Sequence, residues 1–188
     1  MYLSRLLPPL AGVLLAACSS GEPLAKASME HGISPGDAVA SVKVPCMSGP
    51  DREVAEKNKL QVVTFATPYD CSACTPHMAG VPRVLRHINE DQKGFVVVWS
   101  PNKKMLQRSL GQAKSDLPIC IDEAGVFWDR HDIQHTPFTV VIDDGRVVYT
   151  TDAVFTQRDT EEKFARDLKV LIARSASARA PSRSTASR

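Results

Sequence analysis

The sequence predicts an α/β domain in which a mixed sheet is flanked by helices. Three observations carry this expectation. Two short, β-branched apolar runs, residues 60–66 (LQVVTFA) and 94–99 (GFVVVW), are each followed by a helical stretch, as parallel strands joined by crossovers require. A shorter run at 117–121 (LPICI) leads into a turn and a brief helix, an extra strand–helix insertion. Finally, Asp143-Asp144-Gly145 separates the apolar runs 138–142 and 146–149, and Asp-Gly supplies the positive φ angles of a tight β-hairpin. Crossovers first and a hairpin last make the sheet mixed.

Taken in order, a leading strand is expected near Val42–Val44 and a buried strand at Leu60–Ala66. Thr67-Pro68-Tyr69-Asp70 forms a turn, and Cys71-Ser72-Ala73-Cys74 opens a helix running to about Ile88. Gly94–Trp99 is the second buried strand, and a helix starts at Pro101 and Asn102 and ends near Lys114. The third strand is followed by an Asp-Glu-Ala-Gly turn and a short helix over about Phe127 to Asp132. After the hairpin, Asp159 as N-cap and Glu162 at the third helical position suit a capping box. Phe164, Leu168, Leu171 and Ile172 then recur at helical spacing, giving one apolar face to lie on the sheet.

The ends read differently. The chain has 188 residues, 43% hydrophobic, with a formal charge of +2, enough for one domain with extensions. Its basic excess is terminal: with Arg5 and the four arginines of 174–188 set aside, 18 basic side chains face 21 acidic ones, about −3. A nucleic-acid domain would cluster lysine and arginine on one element, so nucleic acid is not an expected partner. Arg5 followed by an apolar run from Leu6 to Ala17 has the make-up of a targeting segment, and it is short of the roughly 20 residues that span a bilayer. The run ends Leu15-Ala16-Ala17-Cys18, which resembles the bacterial lipobox. That resemblance implies lipidation at Cys18 and a mature chain anchored to a membrane of the bacterial cell envelope, facing the periplasm or the exterior. Residues 1–17 are thus expected to be a lipoprotein signal peptide, 18–40 a flexible tether, 41–173 the folded domain and 174–188 a disordered basic tail.

The chemistry centres on Cys71 and Cys74. At the first turn of a helix, unpaired N–H groups and the positive dipole end stabilise an anion, so a thiolate there is more available as a nucleophile. Cys71 would attack and Cys74, one turn deeper, would resolve the mixed disulfide. Zinc is not expected, because one such pair falls short of four ligands. A structural disulfide at the same spacing is the plain alternative.

Leu60–Ala66 followed by Cys71-Ser-Ala-Cys74, and then His135-Thr136-Pro137-Phe-Thr-Val-Val-Ile-Asp-Asp-Gly-Arg-Val-Val-Tyr149, resembles the thioredoxin superfamily, and within it the TlpA-like thiol–disulfide oxidoreductases of bacterial envelopes. The resemblance implies a thioredoxin-like fold with its strand–helix insertion ahead of a cis-proline at Pro137. It implies Thr136 as a backbone platform for polypeptide substrates, and a thiol–disulfide exchange enzyme with no cofactor. It also implies protein thiols and disulfides as substrates and a membrane protein that supplies electrons, the direction leaning toward reductase. Departures from the family pattern are Asp70 where a tryptophan is usual, His77 where a glutamate is usual, and Ala79 in place of the helix proline, with Pro76 and Pro82 nearby. Asp70 would raise the Cys71 pKa. His77 is read either as a proton acceptor for Cys74 or as a solvated helix residue.

With Cys18 lipidated, Cys46, Cys71, Cys74 and Cys120 remain, an even count that suits one catalytic pair and one structural bridge, Cys46 to Cys120. Four cysteines allow three pairings, and the alternatives are a relay of electrons through Cys46 or Cys120, or a free buried cysteine. The competing function is a Cu(I)-binding or copper-delivery module built on Cys71, Cys74 and His77 or His135, since soft thiolates select Cu(I). A peroxidase is disfavoured because Thr64 and Pro68 stand in the wrong order ahead of Cys71.

Overall fold

A computed structural model of the chain describes residues 32–67, 71–86, 94–99, 102–110 and 116–179. The expected signal segment, Cys18, most of the tether, Asp70, the ends of the first two helices and the last nine residues of the tail lie outside the described residues.

The strands β1 (Val42–Val44) and β2 (Arg52–Val54) pair as a small antiparallel hairpin. The main sheet is built from β3 (Leu60–Ala66), β4 (Gly94–Val98), β5 (Ile119–Ile121), β6 (Phe138–Asp143) and β7 (Arg146–Thr151), in the order β5-β4-β3-β6-β7. β3, β4 and β5 are parallel, while β6 runs antiparallel to β3 and β7 to β6. The helices are α1 (Cys74–Arg86), α2 (Lys103–Leu110), α3 (Val126–Arg130) and α4 (Arg158–Arg179). The mixed sheet and the strand–helix insertion β5–α3 ahead of Pro137 are therefore as the sequence predicts.

β3 and β4 are buried on both faces, which is why they read as continuous apolar runs. On one face Val62, Ala66, Val96, Val98 and Val141 pack against α1, α2 and α4 through Met78, Val81, Val84, Leu106, Phe164 and Leu168. On the other, Val63, Phe65, Val97, Val140 and Ile142 pack against Phe127 and Trp128 of α3 and against the N-terminal segment. The start of α3 is held by Asp122, whose carboxylate accepts from the N–H groups of Val126, Phe127 and Trp128 at 3.0, 2.8 and 3.3 Å.

Two expected boundaries move. Residues 32–40, expected as tether, are packed: Ile33 and Val39 are buried in the core. Gly36 and Val39 donate to the Val147 and Gly145 carbonyls of the β7 edge, and Val147 donates back to Asp37. Further along, Met47 donates to Ile119, and Ile121 donates to Pro45, at the β5 edge. The N-terminal segment thus straps one face and covers part of both sheet edges, shielding groups that would otherwise template aggregation. At the other end, α4 runs past Ala173 to Arg179, because Ser175 is buried against the domain and Arg179 pairs with Asp143. The capping box is not formed. The helix starts at Arg158, so Asp159 lies inside its first turn rather than at its cap, and Glu162 bonds Arg158 instead.

Candidate active site

Strand β3 ends at Ala66, and after four intervening residues the chain reaches Cys71, just before α1. The Cys74 N–H donates to the Cys71 carbonyl at 3.1 Å, so the turn is tight and Cys71 sits ahead of the helix N-terminus. The first turn of α1 carries no acidic side chain to oppose a thiolate. Cys71 and Cys74 are joined by a disulfide; Cys71 is half-buried and Cys74 fully buried. One sulfur is thus reachable and the other is not.

The approach to Cys71 is bounded by the segment before β6. The Thr136–Pro137 peptide is cis, and the Thr136 carbonyl oxygen lies 3.2 Å from Cys71 Sγ. Thr136 is itself fixed by a hydroxyl–hydroxyl hydrogen bond to Thr67 at 2.7 Å. The structure therefore brings Cys71, Cys74, Thr136 and Pro137 together, and adds Thr67, which sequence reading passed over as an ordinary turn residue.

His77 is neither solvated nor on the helix surface. It is fully buried, its ring stacked on Phe155 at a centroid distance of 4.5 Å. Nδ1 accepts from the Phe155 N–H at 3.2 Å, and Nε2 lies 3.2 Å from Thr139 Oγ1. Burial pushes its pKa down to about 4, only partly opposed by the backbone of Ala153. Thr139 Oγ1 in turn lies 2.9 Å from Thr64 Oγ1, both hydroxyls buried between β3 and β6. Two threonines inside otherwise apolar strands were the available signal for this chain.

Comparison with known proteins follows the same geometry. No family model matches the chain, and no curated protein matches it. Solved structures do. One, from Bacteroides thetaiotaomicron and described as a protein disulfide isomerase, superposes at TM-score 0.62 over 76% of this chain and 92% of its own, with 13% identity. StoA from Bacillus subtilis superposes at 0.58 with 18% identity, covering 69% of this chain and 98% of its own. The exposed lipoprotein thioredoxin of Streptococcus pneumoniae superposes at 0.52 with 19% identity, covering 68% and 99%. The chain has a thioredoxin-like fold.

A second disulfide joins Cys46 to Cys120, where the strap meets β5. In this thioredoxin-like sheet Cys120 packs with Phe65 and Val97, whereas Cys74 packs with Ala66, Val96 and Val98. Strand alternation puts these sets on opposite faces, so the sheet separates the two disulfides. Among the described residues, no three His, Cys, Asp or Glu side chains converge as a metal site would need.

Proposed function

We propose that this protein is an extracytoplasmic thiol–disulfide oxidoreductase that works as a reductase on polypeptide substrates. The observation that carries the reading is the pairing of a reachable Cys71 with a buried Cys74, beside the Thr136–Pro137 platform. In the dithiol form the Cys71 thiolate attacks one sulfur of a substrate disulfide. That S–S bond breaks, the departing sulfur takes up a proton, and a Cys71–substrate disulfide forms. The Cys74 thiolate then attacks Cys71 Sγ, expelling the second substrate sulfur as a thiolate that is protonated in turn. The substrate gains two electrons and two protons, and Cys71–Cys74 becomes a disulfide. A membrane-borne dithiol donor restores the starting state by the same exchange run in reverse.

The reductase direction draws support from the family resemblance. Residues 71–74 and 135–149 resemble TlpA-like oxidoreductases, whose likeness leans toward the reductase direction. Lipid anchoring at Cys18 and an envelope location are part of the same proposal. They are supported by the lipobox-like segment and by the Cys46–Cys120 bridge, which suits an oxidising compartment. The Cu(I) alternative gains nothing from His77, whose two ring nitrogens are both engaged.

The test is trapping. A Cys74→Ser protein, which keeps Cys71 but cannot resolve, is expected to accumulate covalent mixed disulfides with envelope proteins that dithiothreitol releases. A Cys74→Ser protein that accumulates none would remove the oxidoreductase reading.

A further inference from the structure

Beneath the redox helix runs a buried polar chain whose direction is fixed by its donors. The Phe155 N–H can only donate, so His77 Nδ1 is an acceptor and carries no proton. A neutral imidazole then holds its proton on Nε2, which donates to Thr139 Oγ1. The Thr139 hydroxyl faces Thr64 Oγ1 and continues the chain into β3. The nitrogen lone pair a base would use is occupied, and the other nitrogen is already protonated.

The surroundings are built to keep it so. Gly80, one turn beyond His77, lets the backbone approach: a Cβ at Gly80 would overlap the Phe155 carbonyl oxygen. Another turn on, Arg83 Nη2 donates to that carbonyl at 3.4 Å, and Arg83 Nε bonds Glu161 of α4 at 3.2 Å. His77, Gly80 and Arg83, three residues apart along α1, thus clasp the segment that presents the Phe155 N–H. At its other nitrogen, His77 reaches Thr139, two residues beyond Pro137 on β6.

We propose that His77 is a positioning residue: a tie that holds the helix of Cys74 against the strand of Pro137, stays neutral from pH 5 to pH 9, and exchanges no proton as the cysteines cycle. The inference rests on the oxidoreductase reading for its meaning, but its first test does not. In protein labelled with ¹⁵N-histidine, His77 is expected to stay in the Nε2–H tautomer from pH 5 to pH 9, in both the disulfide and the dithiol states. A His77 that becomes doubly protonated on reduction, or switches tautomer, overturns the proposal whether or not any substrate is found.

The second test separates positioning from proton transfer. Thr139→Val keeps shape but cuts the tie, while leaving the His77 ring in place. Because misalignment harms a substrate that must dock on the platform, polypeptide-disulfide reduction should fall about tenfold in kcat/KM, while exchange with a small aromatic disulfide falls less than about threefold. His77→Asn should show the same split with the same pH profile as wild type. Equal losses on both substrates with an imidazole inflection missing in His77→Asn would make His77 a base, and no loss in Thr139→Val would make the tie inert. A wild type that reduces neither substrate would instead count against the oxidoreductase reading, with the tautomer measurement still deciding the tie.

Discussion

Acidification should weaken this fold through His77, and the structure sets the size of the effect. Burial lowers the pKa from 6.5 to about 4 in the folded protein, while the unfolded chain keeps the ordinary value. Above pH 6.5 both states are neutral at this site and it contributes no pH dependence. As pH falls below 6.5 the unfolded state takes up a proton that the folded state refuses, so stability declines until the folded pKa is reached. At about 1.4 kcal/mol per pKa unit, the loss reaches about 3 kcal/mol by pH 4. For a domain of this size that corresponds to a melting temperature lower by roughly 10 °C. His131, also buried and lowered, acts in the same direction, so wild type must be compared with His77→Asn. The groups facing the imidazole are the Thr139 hydroxyl, the Ala153 backbone and the Phe155 segment, to which Arg83 and Glu161 are bonded. Urea unfolding at pH 7, 6, 5 and 4 should show the variant losing markedly less stability than wild type across that window. Parallel curves would refute the placement of a neutral, desolvated imidazole at this site.

Three further outcomes are expected. Replacing both Cys46 and Cys120 by serine frees a loop of 74 residues in the unfolded chain, for a loss of up to about 4 kcal/mol in urea unfolding. Small-disulfide exchange should persist below the new transition, because that bridge lies across the sheet from Cys74. Gly80→Ala should cost about 1–3 kcal/mol in thermal unfolding and speed hydrogen exchange at the Phe155 amide, since the new methyl group must push the Phe155 backbone off the helix. Asp122→Ala removes the acceptor of three N–H groups at the start of α3, and should cost about 1–2 kcal/mol, seen as lost amide protection at Val126–Trp128.

The architecture was legible where local pattern and tertiary role coincide. Leu60–Ala66 and Gly94–Val98 are buried on both faces and read as unbroken apolar strands, and Asp144-Gly145 turns the hairpin with positive φ at both residues. The strap was not legible. Ile33 and Val39 are isolated large apolar residues among Gly, Ser, Pro, Asp and Ala, and their order comes from pairing with the distant β7 edge rather than from any local preference. The end of α4 was hidden for the same reason, since Ser175 and Arg179 look like tail until Asp143 and the sheet are in place. At the site, the spacing of Cys71 and Cys74 and the Thr136-Pro137 pair could be read directly. The burial of His77 could not, because it depends on Phe155, seventy-eight residues away in sequence.

The reduction potential of the Cys71–Cys74 pair tests the central claim most directly. Equilibrated against glutathione or dithiothreitol buffers and read by thiol alkylation, the pair should cycle fully and settle near about −270 mV, in the range of thioredoxin-type reductants. A potential near about −120 mV would contradict the reductase direction, and a Cys71–Cys74 disulfide that does not cycle at all would contradict the exchange chemistry itself.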